Sequence, residues 1–527
     1  MTEVKGTMAV SPFGNPDGSR ASIFEIQKDF VTFGGSSVWG GLATKSEDLT
    51  ARVIVGRKGS GKTIYLRCLQ AYASEQESLY ADQIQQSLPS TENIIKFCQF
   101  FDEGILTEKW MILWHRAILR SVLSHLMHSH SLREHVDLAR IEAIKNKYKG
   151  ILRDFGTVLS IYSQVSEIIL QNNTSNQITK YLDDPLWMEL ESIIGDLIKD
   201  CPPICLYIDA VDEEFAHAPM YWHRCQKGLF YQTMRLLRDA KLGGRLHIVI
   251  CIRDIVMSSV YKSEHRTRYH KEPHIRILNW DKEAIRYFFQ EKVRNLDSKY
   301  FRGDHERNGK NISTWLGISS IYNEARSVKE NILDYLLRHT RLLPRDIVIL
   351  GNSLCHAFER AKSFSEKKST EQIIRRTVSE VANFFGNEQL TICGNQIASN
   401  AMPKHAAQHG YSGVYTGNQE YIRGATEDLK LIIDCIGKDK FTQAELRIAC
   451  HQAKDLFGQD SDTFSVLWQN GLLGYKYYNH DDEPTTFYSE TKMDEFQLPL
   501  DKKYYLFHSC LIDSVNIRPI GSSPIRY

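Results

Sequence analysis

The segment GRKGSGKT, residues 56–63, constrains this chain more than any other, because it directly follows the short apolar run VIVG. The pattern is typical of a buried strand, a glycine-rich loop and then a helix. Gly56, Gly59 and Gly61 allow the backbone to curl so that its N–H groups point at an anion. The following helix adds its positive N-terminal end to the same place. We therefore predict an α/β fold with a phosphate-binding loop.

The pattern GxxxxGK[ST] is the P-loop, or Walker A, motif of nucleoside triphosphatases. The Lys62 ammonium is expected to contact the β- and γ-phosphates, and the Thr63 hydroxyl to bind Mg²⁺. No guanine-specific NKxD motif stands near its expected place, which favours ATP as the nucleotide. The residues predicted to bind it are Gly56, Arg57, Lys58, Gly59, Ser60, Gly61, Lys62 and Thr63.

A carboxylate that helps to hold Mg²⁺ should follow a buried parallel strand. The apolar run Ile204–Ile208 ends at Asp209, which we predict to be this Walker B aspartate and metal ligand. In many ATPases a catalytic glutamate follows at once, but Ala210 occupies that position here. The acidic residues return at Asp212 and Glu213, and either side chain is a candidate to orient the attacking water. The alternative is that they belong to a solvated loop or cap a helix.

A third apolar run, Leu246–Ile252, ends at Arg253. An arginine at the tip of a central strand would point at the same crevice as the glycine-rich loop. We favour a nucleotide-sensing role over the alternative of an exposed arginine that closes a strand.

The motifs GRKGSGKT, DAVDEE and CIRD together resemble those of the STAND-type bacterial P-loop ATPases, including the NACHT-like group. They are also similar to those of the origin-recognition branch of AAA+ enzymes, and the resemblance covers about residues 50–280. Residues 341–350, RLLPRDIVIL, look like a lid motif in which Pro-Arg-Asp opens a helix. The resemblance implies that Arg345 reaches the γ-phosphate. Residues 279–293 resemble the first lid helix, with Asp281 as its N-cap.

The motifs and composition shifts predict five regions, in which an ATPase core carries a large helical insertion and is followed by a helical lid and a winged helix. The insertion is predicted because the 146 positions from Thr63 to Asp209 exceed what a compact core needs. The regions are an N-terminal segment (1–45), the core (46–278, insertion about 105–200), the lid (279–365), a linker or irregular segment (366–424) and a winged-helix-like domain (425–527).

The last region has three helical patterns followed by strands, and Thr442 with Glu445 forms a predicted capping box. Its QNGLLGY segment resembles the helix-to-wing junction of winged helices appended to such ATPases. From Thr426 to Ile517 there are nine basic and sixteen acidic residues, a net charge of −7, and the predicted wing turn reads HDDE. Because DNA binding needs a positive face, we assign this region to protein contacts or to packing on the ATPase core.

Composition excludes several classes of protein. The chain has 527 residues, a net charge of +1 and 42% hydrophobic residues, which is ordinary for a globular protein and argues against a general polyanion binder. No apolar run is long enough to span a bilayer, and the N-terminus has no secretory apolar region. None of the eleven cysteines forms a CxxC pair. Cys205, Cys251 and Cys435 lie in apolar runs, which indicates buried reduced thiols and a cytoplasmic protein.

Two classes of function remain, with a third behind them. The first is a switch that binds ATP and Mg²⁺, hydrolyses ATP slowly and regulates self-association or a partner or effector protein. The resemblance implies signalling or defence, for example bacterial anti-phage immunity. The alternative is a nucleic-acid-handling AAA+-like ATPase, which the basic stretch Lys262–Arg276 would favour. The third is a degenerate ATPase that binds nucleotide without turnover. No membrane partner is expected.

Overall fold

The structure is a computed structural model of the chain, and the description below is limited to the following residues. Described residues are 11–18, 26, 52–74, 80–83, 91–101, 103–129, 132, 134–152, 165, 168–171, 174–209, 222–239, 242, 244–261, 266–269, 271–363, 369–409, 416–458, 462–476, 497–515 and 517–520. The chain is a mixed α/β protein in which helices predominate.

The chain divides into two compact units. The sheet unit comprises Ser37–Lys58 and Lys62–Leu278. The C-terminal unit comprises Asn279–Tyr527 together with Met1–Ser36 and the three residues Gly59–Gly61. The predicted lid, irregular segment and winged-helix region therefore belong to one unit.

The sheet unit is built on five parallel strands in the order β2-β3-β4-β1-β5. All residues of β1 and β3 are buried, as expected for a parallel sheet that is covered on both faces. The strands are β1 (Val53–Gly56), β2 (Tyr80–Gln83), β3 (Ile204–Ile208), β4 (Leu246–Arg253) and β5 (Ile275–Ile277).

The strand order creates a switch point between β1 and β4. The connection that leaves β1 runs to β2 at one edge of the sheet, whereas the connection that leaves β4 runs to β5 at the other edge. Gly56, the last residue of β1, lies opposite Arg253, the last residue of β4. Ligands of open parallel sheets bind outside the carboxyl ends of the strands at such a point.

Helices account for more than half of the 146 positions between the loop and Asp209. The described helices before Asp209 are α1 (Lys62–Ser74), α2 (Thr91–Gln99), α3 (Glu103–His128), α4 (Leu138–Lys147), α5 (Lys149–Leu152), α6 (Ser175–Leu182) and α7 (Leu186–Ile198). Those that follow it in the sheet unit are α8 (Trp222–Leu237), α9 (Asp254–Tyr261) and α10 (Arg266–Tyr269).

The long helix α3 packs closely against α8. A Cβ atom on Gly228 of α8 would lie 2.6 Å from Cβ of Trp110, so only glycine permits this approach. The Trp114 indole donates to the Cys225 carbonyl over 3.0 Å. The aromatic stripe predicted on this segment is core, because its residues are at most 4% exposed: Trp110, Leu113, Trp114, Ala117 and Ile118.

The C-terminal unit combines helices with two small antiparallel sheets. One sheet is a hairpin of β6 (Ser320–Asn323) and β7 (Val328–Asn331), and the other has the order β8-β10-β9. The remaining elements are α11 (Lys282–Arg294), α12 (His305–Asn308), α13 (Ile312–Leu316), α14 (Ile332–Arg338), α15 (Pro344–Ser363), α16 (Thr370–His409), α17 (Thr416–Ile436), β8 (Lys440–Thr442), α18 (Gln443–Phe457), α19 (Thr463–Gln469), β9 (Leu473–Tyr475), β10 (Tyr504–Phe507) and α20 (Cys510–Ser514), with 3₁₀ turns at Ser298–Tyr300 and Glu324–Arg326.

One apolar core runs through the C-terminal unit and includes a residue from the start of the chain. The Phe13 ring is 1% exposed, and its centroid lies 5.1 Å from that of Trp315. Its backbone N–H donates to the Asn352 side chain over 2.8 Å. The described part of the N-terminal segment is therefore a structural component of this unit.

The prediction of a linker or irregular segment over residues 366–424 is wrong for the described residues. They form most of the 40-residue helix α16 and the start of α17. The two helices approach each other closely at Gly394. A Cβ atom on Gly394 would lie 2.2 Å from Oγ1 of Thr426.

All eleven cysteines are free thiols, and most are buried as predicted. Cys435 is exposed, so its prediction as a buried residue is wrong. It lies in the last turn of α17. Among the described residues, no helix is both long and apolar enough to cross a bilayer.

Candidate functional site

The glycine-rich loop leaves β1 and leads into α1, which begins at Lys62. The Lys62 ammonium bends back over the loop and donates to the carbonyls of Gly56 and Arg57, each over 3.0 Å. The motif lysine therefore lies above the start of the loop, and Thr63 follows it in the first turn of α1. The predicted strand–loop–helix arrangement is present.

Two glycines of the loop have backbone conformations that other residues rarely adopt. Gly59 and Gly61 have φ angles of 91° and 92°, a region that favours glycine. Ser60 is 2% exposed, and its hydroxyl has no hydrogen-bond partner among the described residues. A buried hydroxyl without a partner is costly, so this atom fits a site that is completed by a ligand.

Gly59, Ser60 and Gly61 belong to the C-terminal unit. Two other residues of this unit, Arg345 and Trp280, form hydrogen bonds to them. The Arg345 N–H donates to the Gly59 carbonyl over 3.3 Å. The Trp280 indole donates to the Ser60 carbonyl over 2.9 Å. A Cβ atom on Gly59 would lie 3.1 Å from Cβ of Arg345. Arg345, predicted from the lid motif, is thus adjacent to the middle of the loop.

Asp209 follows β3 directly and is 9% exposed. Because β3, β4 and β1 are parallel neighbours, their carboxyl ends place Asp209, Arg253 and Gly56 along one edge of the sheet. The predicted catalytic candidates Asp212 and Glu213 lie outside the described residues.

Arg253 ends β4, as the sequence predicts, and its guanidinium lies over an aromatic ring. The carbon atom at the centre of the guanidinium lies 5.0 Å from the Trp222 ring centroid. The Arg253 N–H donates to the Gln226 side chain over 3.0 Å. Next to it, Asp254 forms an ion pair with Arg57 of the loop at 3.5 Å. Arg253 is therefore positioned by α8, and Arg57 by the start of α9.

The lid motif RLLPRD folds around a buried ion pair. The Arg341 guanidinium donates from Nε and Nη2 to the two oxygens of Asp346 over 2.9 and 2.6 Å. Burial opposes the charge of Arg341, but the Asp346 carboxylate more than offsets it, so the pKa of Arg341 is raised. Between them, Leu342 has a φ of 55°, a strained value for a branched residue. This turn fixes Arg345 at the start of α15.

Two site features were not predicted from the sequence. Trp280 precedes a helix whose N-cap, Asp281, was predicted correctly, but nothing local indicates that its indole would bond to Ser60. Glu388 lies on α16, where one of its carboxylate oxygens is 3.8 Å from Nη1 of Arg345. A long-range partner of this kind leaves no periodic signal.

The donor set of the site is made of oxygen and nitrogen atoms. A hydroxyl at Thr63 and a carboxylate at Asp209 are the hard oxygen ligands that Mg²⁺ prefers, usually together with phosphate oxygens and water. Within the described ranges, no three His, Cys, Asp or Glu side chains are grouped so that they could hold a metal ion.

Comparison with known proteins gives no match, either to a protein-family model or to a curated protein sequence.

Proposed function

We propose that this chain is a P-loop ATPase of the STAND and NACHT-like type that acts as a nucleotide-gated switch. In this proposal ATP and Mg²⁺ bind at residues 56–63 and Asp209, and the state of the nucleotide regulates self-association or the binding of a partner or effector protein. Hydrolysis resets the switch.

The arrangement of Lys62 is the main support for this proposal. Its ammonium has three N–H donors, of which two bind the carbonyls of Gly56 and Arg57. The third donor is available to a phosphate oxygen above the loop. The two glycines with positive φ and the N-terminus of α1 supply further backbone donors and a favourable dipole. A chance glycine-rich turn would not combine these features at the switch point of a parallel sheet.

Other residues have proposed roles around the phosphates. Thr63 and Asp209 would hold Mg²⁺, which neutralises phosphate charge when it is bound. Asp212 or Glu213 would accept the proton of the attacking water. Arg253 and Arg345 would contact the γ-phosphate and distinguish ATP from ADP.

The proposed partner of the C-terminal region is a protein. The three-stranded sheet β8-β10-β9 with α17, α18 and α19 supports a winged-helix-like arrangement. Its net charge of −7 from Thr426 to Ile517 disfavours contact with nucleic acid. A role in anti-phage defence rests on the motif resemblance.

Thermal unfolding with and without ATP and Mg²⁺ tests this function. A ligand at 100 times its Kd stabilises the folded state by about 2.7 kcal/mol, so the melting temperature of the wild type should rise. Lys62→Ala should lose this rise, whereas Lys149→Ala, which removes an exposed lysine of α5, should keep it. An equal rise in wild type and Lys62→Ala would contradict binding at the loop.

A further inference from the structure

The carboxylate of Glu388 on α16 lies between two arginines of the lid motif. Its Oε1 is 3.8 Å from Nη1 of Arg345, and its Oε2 is 3.7 Å from Nη2 of Arg341. All three residues belong to the C-terminal unit. The negative charge of Glu388 is therefore close enough to act as a counter-ion of either guanidinium group.

Arg341 is already neutralised by other residues. Asp346 binds it with both carboxylate oxygens, and the Gln389 side chain accepts a further bond from Nη1 over 2.7 Å. A bidentate pair of this kind is strong and geometrically fixed. Glu388 also adds to the negative charge around Arg341. Arg341 keeps Asp346 and Gln389 without it, however, whereas Glu388 is the carboxylate that pairs with Arg345.

The pair between Arg345 and Glu388 is loose enough to be exchanged. At 3.8 Å it is an ion pair without a hydrogen bond, and the two side chains are 31% and 18% exposed. Partly exposed pairs of this kind contribute little to stability. The buried Nε of Arg345 has no hydrogen-bond partner among the described residues. An anion that offered this donor an oxygen would satisfy it better than Glu388 does.

We propose that Glu388 is the counter-ion that holds Arg345 until a nucleoside triphosphate binds, and that Arg345 then leaves Glu388 for the terminal phosphate. This inference rests on the proposed function and names a regulator of the same site. A diphosphate lacks the terminal group, so it would leave the pair intact. The triphosphate alone would change the charge balance on α16.

Helix α16 is well placed to pass on such a change. Phe385 and Leu390, on either side of Glu388, are fully buried in the core of the C-terminal unit. Gly386 fits so tightly against α20 that a Cβ atom there would lie 2.4 Å from Oγ of Ser514. A shift of α16 at Glu388 would therefore displace α20 and the adjoining small sheet.

Nucleotide affinities of the full-length variants test the proposal. Glu388→Gln keeps the shape of the side chain but removes its charge, so Arg345 is released. Its affinity for ATP with Mg²⁺ should rise about two- to fivefold, the range of one partly exposed ion pair, and its affinity for ADP should not change. The gain should vanish when Arg345→Ala is combined with it. The matched control is Glu380→Gln, which removes an exposed carboxylate of the same helix that pairs with Arg376.

Hydrogen exchange of Cys510–Ser514 gives a second readout. In the wild type, ATP should change exchange in this helix and ADP should not. Unchanged ATP affinity in Glu388→Gln, an equal gain for ATP and ADP, or a gain that persists with Arg345→Ala would each overturn the inference while leaving nucleotide binding intact. Absence of nucleotide binding by the wild type would overturn both the inference and the proposed function.

Discussion

Single residues in the C-terminal unit are constrained by neighbours that are distant in the sequence. The Phe13 ring lies against Gly351 of α15, where a Cβ atom would lie 2.5–2.6 Å from three ring carbons. The Asn352 side chain accepts a hydrogen bond from the Phe13 N–H and donates one to the Gly14 carbonyl. The size of residue 351 is therefore determined by a ring more than 300 positions away.

Gly351→Ala should destabilise the C-terminal unit, because the new methyl group overlaps a buried aromatic ring. We expect a loss of about 1–3 kcal/mol in the free energy of unfolding, measured by urea denaturation. Gly424→Ala is the control, since residue 424 is a helical glycine of the same unit with open space around it. That change should be neutral or stabilising by up to about 1 kcal/mol. Equal stability of the two variants would show that Phe13 does not occupy this place.

The partly buried His247 of the sheet unit makes the free energy of unfolding depend on pH. Burial, and secondly the Arg52 charge, lower the pKa of His247 to about 4, and Nδ1 of His247 lies 2.7 Å from Nη2 of Arg52. An unfolded histidine has a pKa near 6.5, so between pH 6.5 and 4 the unfolded state binds a proton that the folded state does not. The contribution of the neutral His247 ring to the free energy of unfolding is complete above pH 6.5 and decreases as the pH falls toward 4.

His247→Gln should flatten this dependence. Between pH 6.5 and 4, the wild type should lose up to about 3 kcal/mol of its free energy of unfolding because of His247. The variant should not show this loss. His451→Gln, at an exposed position of α18, should leave the dependence unchanged. Identical pH profiles of wild type and His247→Gln, obtained by chemical denaturation, would refute the effect.

At the scale of elements, the start of α15 depends on charges brought together by the fold. Asp346 is fully buried in the first turn of α15, where its negative charge interacts favourably with the helix dipole. It accepts hydrogen bonds from both the backbone and the side chain of Arg341. These bonds hold the strained turn at Leu342 and direct Arg345 toward Gly59.

Asp346→Asn should be strongly destabilising, because it leaves the buried charge of Arg341 without its main partner. A loss of about 3–5 kcal/mol is expected in the free energy of unfolding of the C-terminal unit. Asp334→Asn removes a carboxylate that is half exposed and pairs with Arg286, and it should cost about 1 kcal/mol or less. Similar losses for both variants, measured by urea denaturation, would contradict this explanation of the turn.

Elements with local signals could be predicted from the sequence. The capping box of Thr442 and Glu445 and the N-cap at Asp281 appear as predicted, because their partners lie within four residues. The continuous apolar runs also marked β3 and β4 correctly. By contrast, the helices over residues 366–424 were missed, since the Gly-, Asn- and Ala-rich sequence of residues 395–424 resembles the composition of a loop.

At the scale of the whole molecule, long-range pairing limited what the sequence could predict. The strand–loop–helix at residues 53–74 was predictable because the motif fixes its own backbone. The contacts of Trp280 and Glu388, and the place of Phe13 in the C-terminal core, depend on the final packing of distant segments. Without a local periodicity, no pattern in the chain indicates them.

Isothermal titration calorimetry with ATP and Mg²⁺ measures whether a nucleotide binds at the glycine-rich loop. The wild type should bind ATP at one site per chain, and the binding should weaken when Mg²⁺ is removed by chelation. Lys62→Ala should lose at least about tenfold in affinity, because a charge-assisted hydrogen bond to phosphate contributes about 1.5–3 kcal/mol. Binding of equal strength by wild type and Lys62→Ala, or no heat of binding from the folded wild type, would contradict nucleotide binding at this loop.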